Sequence, residues 1–145
     1  MSDQLRLMAE DAADLDVLAA AAQDALVRAG DLSFDPKARR FSALISRFRW
    51  EKADGAGPYE RVQAGLSFES VLKVKSRHLR RDTPDALASI LSLAFEPAEE
   101  PPGGVVRVVF AGGGEVSLDV ECLDAVLVDL GAAWPTPRKP DHEKA

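Results

Sequence analysis

The sequence predicts a single α+β domain. About seven mostly antiparallel strands bend into a curved sheet or small barrel, with one N-terminal helix packed on it or plugging it. Three observations carry this reading. Apolar residues recur at every second position through much of the chain after Gly30, the spacing of strands with one buried face. The stretch 14 to 28 carries a helical apolar stripe, and turn signals rich in Gly and Pro separate the alternating runs. The chain has 145 residues, 46% of them hydrophobic and 29% charged. That is a globular composition, and a chain of this size buries about two thirds of its surface without metal or disulfide support.

The chain opens with Leu5 and Leu7 alternating with Gln4 and Arg6, a short strand. Asp11 or Asp14 caps the helix that follows. Leu15, Leu18, Ala19, Ala22 and Leu26 form its stripe and Gly30 closes it. Asp24 lies opposite that stripe and is expected in water. Leu32 and Phe34 lead to a turn at Pro36, and Arg39 to Glu51 reads as a long strand. Its alternation is mixed: Phe41, Ala43 and Ile45 hold one parity, Leu44, Phe48 and Trp50 the other. That implies a bulge, or a buried face that changes along the strand. Lys52 to Pro58 is a connection.

The clearest strand follows. Val62, Ala64, Leu66, Phe68, Leu72 and Val74 share one parity, and Arg61, Gln63, Ser67, Glu69, Lys73, Lys75 and Arg77 the other. Residues 84 to 95 fit two templates. Thr83 and Pro84 look like a helix start, and Leu87, Ile90, Leu91 and Ala94 make a helical stripe; Leu87, Leu91, Leu93 and Phe95 fit a strand, the reading adopted for the second half. Glu96 to Gly104 is a loop. Next comes a hairpin in which Val106, Val108 and Phe110 answer Val116, Leu118 and Val120 around Ala111 to Glu115, setting Arg107 opposite Asp119. Residues 123 to 130 continue after a phase slip near Asp124, and the chain meets the core at Trp134. The domain spans 1–134, and 135–145, with three prolines, is a flexible tail.

Several function classes are excluded. No apolar run reaches the ~18 residues of a membrane span, and the acidic start (Asp3, Glu10, Asp11) lacks a signal peptide's basic flank, so a cytoplasmic protein away from the membrane is expected. One cysteine, Cys122, allows no internal disulfide; its parity matches Val116, Leu118 and Val120, which makes it a buried thiol. His78 and His142 have no companion at metal-ligand spacing. Gly112 to Gly114 lacks the lysine and the following helix of a phosphate loop and reads as a hairpin tip. Gly65 to Glu69 begins like a nucleophile elbow but places Ser67 inside a strand and Glu69 where glycine belongs. Asp119 and Glu121 share a solvated strand face. No catalytic residue, metal or cofactor is expected.

Charge is uneven. Residues 37 to 81 hold 12 Lys/Arg against 4 Asp/Glu, between acidic flanks of 2 against 8 and 4 against 12. The function this supports is a non-enzymatic protein-interaction or adaptor module. Its candidate basic face is Arg61, Lys73, Lys75 and Arg77, joined by Arg47 and Arg49, and it would meet an acidic protein partner or the acidic flank of a second copy. Two alternatives remain open. One is a small-ligand or cryptic enzyme site in the sheet concavity, opposed by inward parities that are almost wholly apolar. The other is single-stranded nucleic acid stacked on the stretch Arg39, Arg40, Phe41, Arg47, Phe48, Arg49, Trp50, opposed by a net charge of −6 and by strand alternation.

The ordered strings RRFSALISRFRWE (39–51), RVQAGLSFESVLKVKSR (61–77) and FAGGGEVSLDVECLDAVLVDLGAAW (110–134), with AQDAL (22–26) before them, resemble a family of small alphaproteobacterial proteins known as domain of unknown function 2948. The similarity spans roughly Leu5 to Trp134. It implies a bacterial cytoplasmic protein and carries over no active site.

Overall fold

The computed structural model describes residues 4–52, 59–79, 83–137 and 140. Among them, nine strands and one helix follow in the order β1 (Arg6–Ala9), α1 (Ala12–Ala22), β2 (Leu26–Asp35), β3 (Arg40–Phe48), β4 (Tyr59–Phe68), β5 (Val71–Arg77), β6 (Leu87–Pro97), β7 (Gly104–Phe110), β8 (Glu115–Val120) and β9 (Ala125–Thr136), with a 3-10 turn at Trp50–Lys52. All pairings are antiparallel, and the spatial order is β1-β9-β4-β3-β2-β6-β7-β8-β5. The sheet is open, with β1 and β5 as its edges. The α+β class is as expected, and the strands exceed the expected seven. No described helix is long and apolar enough to cross a membrane.

The helix starts where the sequence placed it and ends early. Asp11, in extended conformation, accepts a 2.8 Å hydrogen bond from the Asp14 N–H, an N-cap. Leu15, Leu18 and Ala22 are buried, and α1 packs on β1 and β6. The chain then turns at Asp24, whose φ of 60° is left-handed, a conformation Asp tolerates better than most residues. Asp24 N donates to Ile90 O at 2.9 Å and Ile90 N to Ala25 O at 2.8 Å, so capture by β6 replaces a further helical turn. Leu26 and Gly30 therefore lie in β2, where the sequence placed a last helical rung and a C-cap. Asp24 itself is buried rather than solvated.

The run read as one strand from Arg61 to Arg77 is two. Glu69 and Ser70 break it, with Ser70 at φ 58°. Val71 enters the core, Leu72 turns out to solvent, and the β5–β8 register is irregular between Val71 and Lys73. The two halves sit in different parts of the sheet. β3, by contrast, pairs with β4 without a slip from Phe41↔Phe68 to Phe48↔Arg61, and its buried face changes only at its end, where Arg47 and Phe48 are both buried.

Residues 87–97 are strand throughout, and the helical reading of this segment is not realised. A bulge between Ile90 and Ser92 puts Ile90 and Leu93 on the same buried face three residues apart, which is why a helical template matched as well. The β7–β8 hairpin turns at Ala111 to Gly114, with Phe110 N bonded to Gly114 O and positive φ at Gly112 and Gly113. Glu115 belongs to β8, so the loop is shorter than expected and the register moves: Arg107 faces Ser117, and Asp119 faces Val105. Cys122 sits half-buried in the bend before β9, and Leu123 takes the core position. β9 runs to Thr136, into the segment expected as tail; residues 53–58, 138–139 and 141–145, His142 included, lie outside the described residues.

Candidate interaction surface on the edge strand

The six candidate cations fall into two groups. Lys73, Lys75 and Arg77 stand together on the outer face of β5, exposed at alternate positions, while Val74 between them turns inward. Across the ladder they face Asp119, Ser117 and Glu115 of β8. Arg77 Nη2 lies 3.1 Å from Glu115. Behind it on β7, Arg107 Nε donates to Glu96 at 2.8 Å and Nη1 to Ser117 Oγ at 3.2 Å. The hydrogen bond from Arg107 holds the Glu96 carboxyl below its ordinary pKa and raises the guanidinium above its own. Lys73 and Lys75 form no ion pair with any described residue. Lys75, Arg77 and Arg107 line a shallow depression of about 300 Å³ with Glu115 and Ser117. Among the described residues, no cluster of three His, Cys, Asp or Glu side chains is placed to hold a metal ion.

Arg47, Arg49 and Arg61 gather instead around Phe48, at the opposite end of β3 and β4. Arg47 and Arg49 were expected on the exposed basic face; Arg47 is 0% exposed and Arg49 6%. Arg47 shares the inward parity of Phe41, Ala43 and Ile45. Its guanidinium crosses β4 over Val62 and Ala64, both buried, to reach Asp129 on β9 through Nε at 2.7 Å and Nη2 at 2.8 Å. Nη1 and Nη2 also bond both oxygens of Glu51 at 3.0 and 2.7 Å. Burial works against the charge on Arg47, but the hydrogen bonds to Asp129 and Glu51 outweigh it and hold the pKa above its ordinary value. Asp129 in turn accepts from Leu5 N at 2.8 Å, tying the start of the chain to the same network.

Arg49 pairs with Glu60 at 2.7 Å. Arg61 is half-buried, its guanidinium 6.0 Å from the Phe48 ring centroid and bonded to Ser46 O; burial lowers its pKa and nearby Asp24 opposes this. Phe48 is fully buried, and the Trp50 indole donates to Gln23 O at 3.0 Å, so Arg47, Phe48 and Arg49 of the aromatic and basic stretch are packed inside the protein, whereas Arg39 and Arg40 are exposed and pair with Glu121 and Glu69.

A further feature lies beside β5 and was not read from the sequence. Among the described residues, β2 pairs with β6 from Leu26 to Arg28, and its outer half, Leu32 to Asp35, pairs with β3. The ladder partner of β5 among them is β8. The two strands flank one cavity of about 440 Å³, lined by Leu32, Phe34, Phe41, Val74, Leu79 and Val116 together with Ser33 and Ser76. It closes at one end where Val71 N bonds Arg39 O at 2.9 Å. Period-two patterning marks each of these strands, but no local signal tells which pairs will part.

Among curated proteins and among solved structures, nothing matches the chain. A family model does match, from residue 5 to residue 142. The protein therefore belongs to the family described as protein of unknown function DUF2948.

Proposed function

We propose that this protein is a non-enzymatic interaction module whose outer β5 face docks an acidic segment of a protein partner. One observation carries the reading: Lys73, Lys75 and Arg77 are exposed in a row on an edge strand, and the two lysines have no carboxylate partner among the described residues. Cations held at strand spacing match carboxylates at the same spacing on an extended segment. Arg107, fixed by Glu96, extends the row onto β7. Arg47, Arg49 and Arg61 are left out of the docking surface, because their charges are committed to interior partners. A cytoplasmic setting in a bacterium belongs to the same reading, supported by the single thiol and by the family likeness of the sequence.

The test is fluorescence anisotropy with a labelled oligoglutamate peptide. The wild-type chain binds it at low salt and loses it as ionic strength rises past the point where the Debye length falls to about 10 Å. The double variant Lys73→Glu, Lys75→Glu binds at least about tenfold more weakly. Equal binding by the variant removes the proposal.

A further inference from the structure

We infer that the partner's acidic segment is anchored by one phosphorylated side chain, whose phosphoryl group seats between Lys75 and Arg107 over the hydroxyl of Ser117. The inference rests on the basic-surface reading above and goes further, naming the chemical class of the anchoring group and the three residues that hold it.

Three rows of side chains cross the outer face from β5 over β8 to β7. The first is Lys73, Asp119 and Val105, and the last is Arg77, Glu115 and Val109. Each has a carboxylate directly opposite its cation, and in the last row Arg77 Nη2 stands 3.1 Å from Glu115. The middle row is Lys75, Ser117 and Arg107, with a cation at either side and a serine, not an acid, on the strand between them. Neighbouring strands lie about 4.8 Å apart, so the two cations rise from backbones about 10 Å apart on either side of one hydroxyl.

This row holds donors ready for an oxyanion. Glu96 grips Arg107 through Nε at 2.8 Å and Nη2 at 3.3 Å, so little side-chain freedom is lost when the guanidinium meets a ligand. Arg107 Nη1 donates to Ser117 Oγ at 3.2 Å, and the serine's own O–H is left to donate into the depression. Lys75 is exposed and forms no ion pair with any described residue. The depression is lined by three cations, Lys75, Arg77 and Arg107, against the one carboxylate of Glu115, an excess of two positive charges. A carboxylate brings one negative charge and two oxygens in a plane. A phosphomonoester brings nearly two charges and three oxygens that point three ways. It matches both the excess charge and the donors, one each from Lys75, Ser117 and Arg107. Glu115, 3.1 Å from Arg77 and 3.6 Å from Arg107 Nη1, bounds the seat and repels a second anion there, which leaves the segment's ordinary carboxylates to Lys73.

The experiment uses the full chain and two labelled oligoglutamate peptides of about seven residues, the length of an ordinary strand, one with phosphoserine and one with glutamate at its centre. Fluorescence anisotropy at low salt gives both affinities. The phosphoserine peptide is expected to bind the wild-type chain at least about tenfold more tightly than the glutamate peptide. Ser117→Ala removes the hydroxyl and leaves every charge in place, and Lys75→Met removes one cation of the row; each should cut that ratio below about threefold. Lys73→Met, outside the row, should weaken both peptides alike and keep the ratio. Equal wild-type affinity for the two peptides overturns the phosphoryl seat, and so does a preference that survives Ser117→Ala or Lys75→Met. If the glutamate peptide still binds and is lost in Lys73→Glu, Lys75→Glu, the basic-surface reading stands without the seat. No binding by either peptide at low salt overturns both.

Discussion

Arg47 is the residue that ties β3 to β9 and to the turn at Trp50–Lys52. It is a fully buried cation bonded to two carboxylates on two other segments, and removing one partner of such a pair strands the other's charge away from water. Arg47→Met should cost about 3–5 kcal/mol in urea unfolding. Adding Asp129→Asn should recover part of that loss, since the amide oxygen still accepts from Leu5 N without carrying a charge. Glu51 gives the pH dependence. Burial raises its pKa, but the hydrogen bond from Arg47 prevails and the folded-state value lies below the ordinary 4.5. The unfolded chain thus takes up protons first: stability from this group is fully present above about pH 4.5 and is lost as pH falls through the lower folded value. Urea midpoints followed into the acid range should drop there, and less steeply in Glu51→Gln. The sequence did hold the signal for this network. Arg47 follows Phe41, Ala43 and Ile45 in parity, as Asp129 follows Ala125 and Leu127, so two opposite charges stood at inward positions. The rule that charge faces water hid them.

At the level of elements, strands were legible wherever one face is oily and the other wet, as in β4, β7 and β8. Their ends were not, because tertiary hydrogen bonds decide them. Ala22 could continue as helix, and only the grip of Ile90 on Asp24 and Ala25 stops it. The break at Ser70 likewise uses a left-handed non-glycine residue that composition does not reveal. The β6–β7 pair offers a direct check. A Cβ on Gly104 would stand 2.5 Å from the backbone oxygen of Glu96 and 2.6 Å from the Phe95 ring. Gly104→Ala should therefore push β6 and β7 apart and cost about 1–3 kcal/mol, read as a lower thermal midpoint. Asp11→Ala, which removes an exposed helix cap, should cost only about 1 kcal/mol.

Among the described residues, the whole molecule is one open nine-stranded sheet with a single helix against it. β4 lies between β3 and β9, and the buried side chains of all three meet in the core. Amide exchange in the free protein should be slowest in β3 and β4 and fastest, among the strands, at the two edges β1 and β5. A β5 as well protected as β4 would mean that the cleft is closed in solution. The α+β class and the helix on the sheet were readable from period and punctuation alone. The cavity beside β5 was not, since it is set by which of two long strands β2 leaves, a choice made only when all nine are assembled. The placement of three side chains has a practical outcome. Trp50 sits beside Phe48 and Trp134 opposite Arg61, whereas Cys122 lies in the bend past the Phe68 end of β4. Native donors at one pole and the one thiol at the other stand some seven strand residues apart, about 23 Å. An acceptor dye on Cys122 thus turns the natural chain into a molecular ruler, able to report a change in length along the sheet by energy transfer without a single substitution.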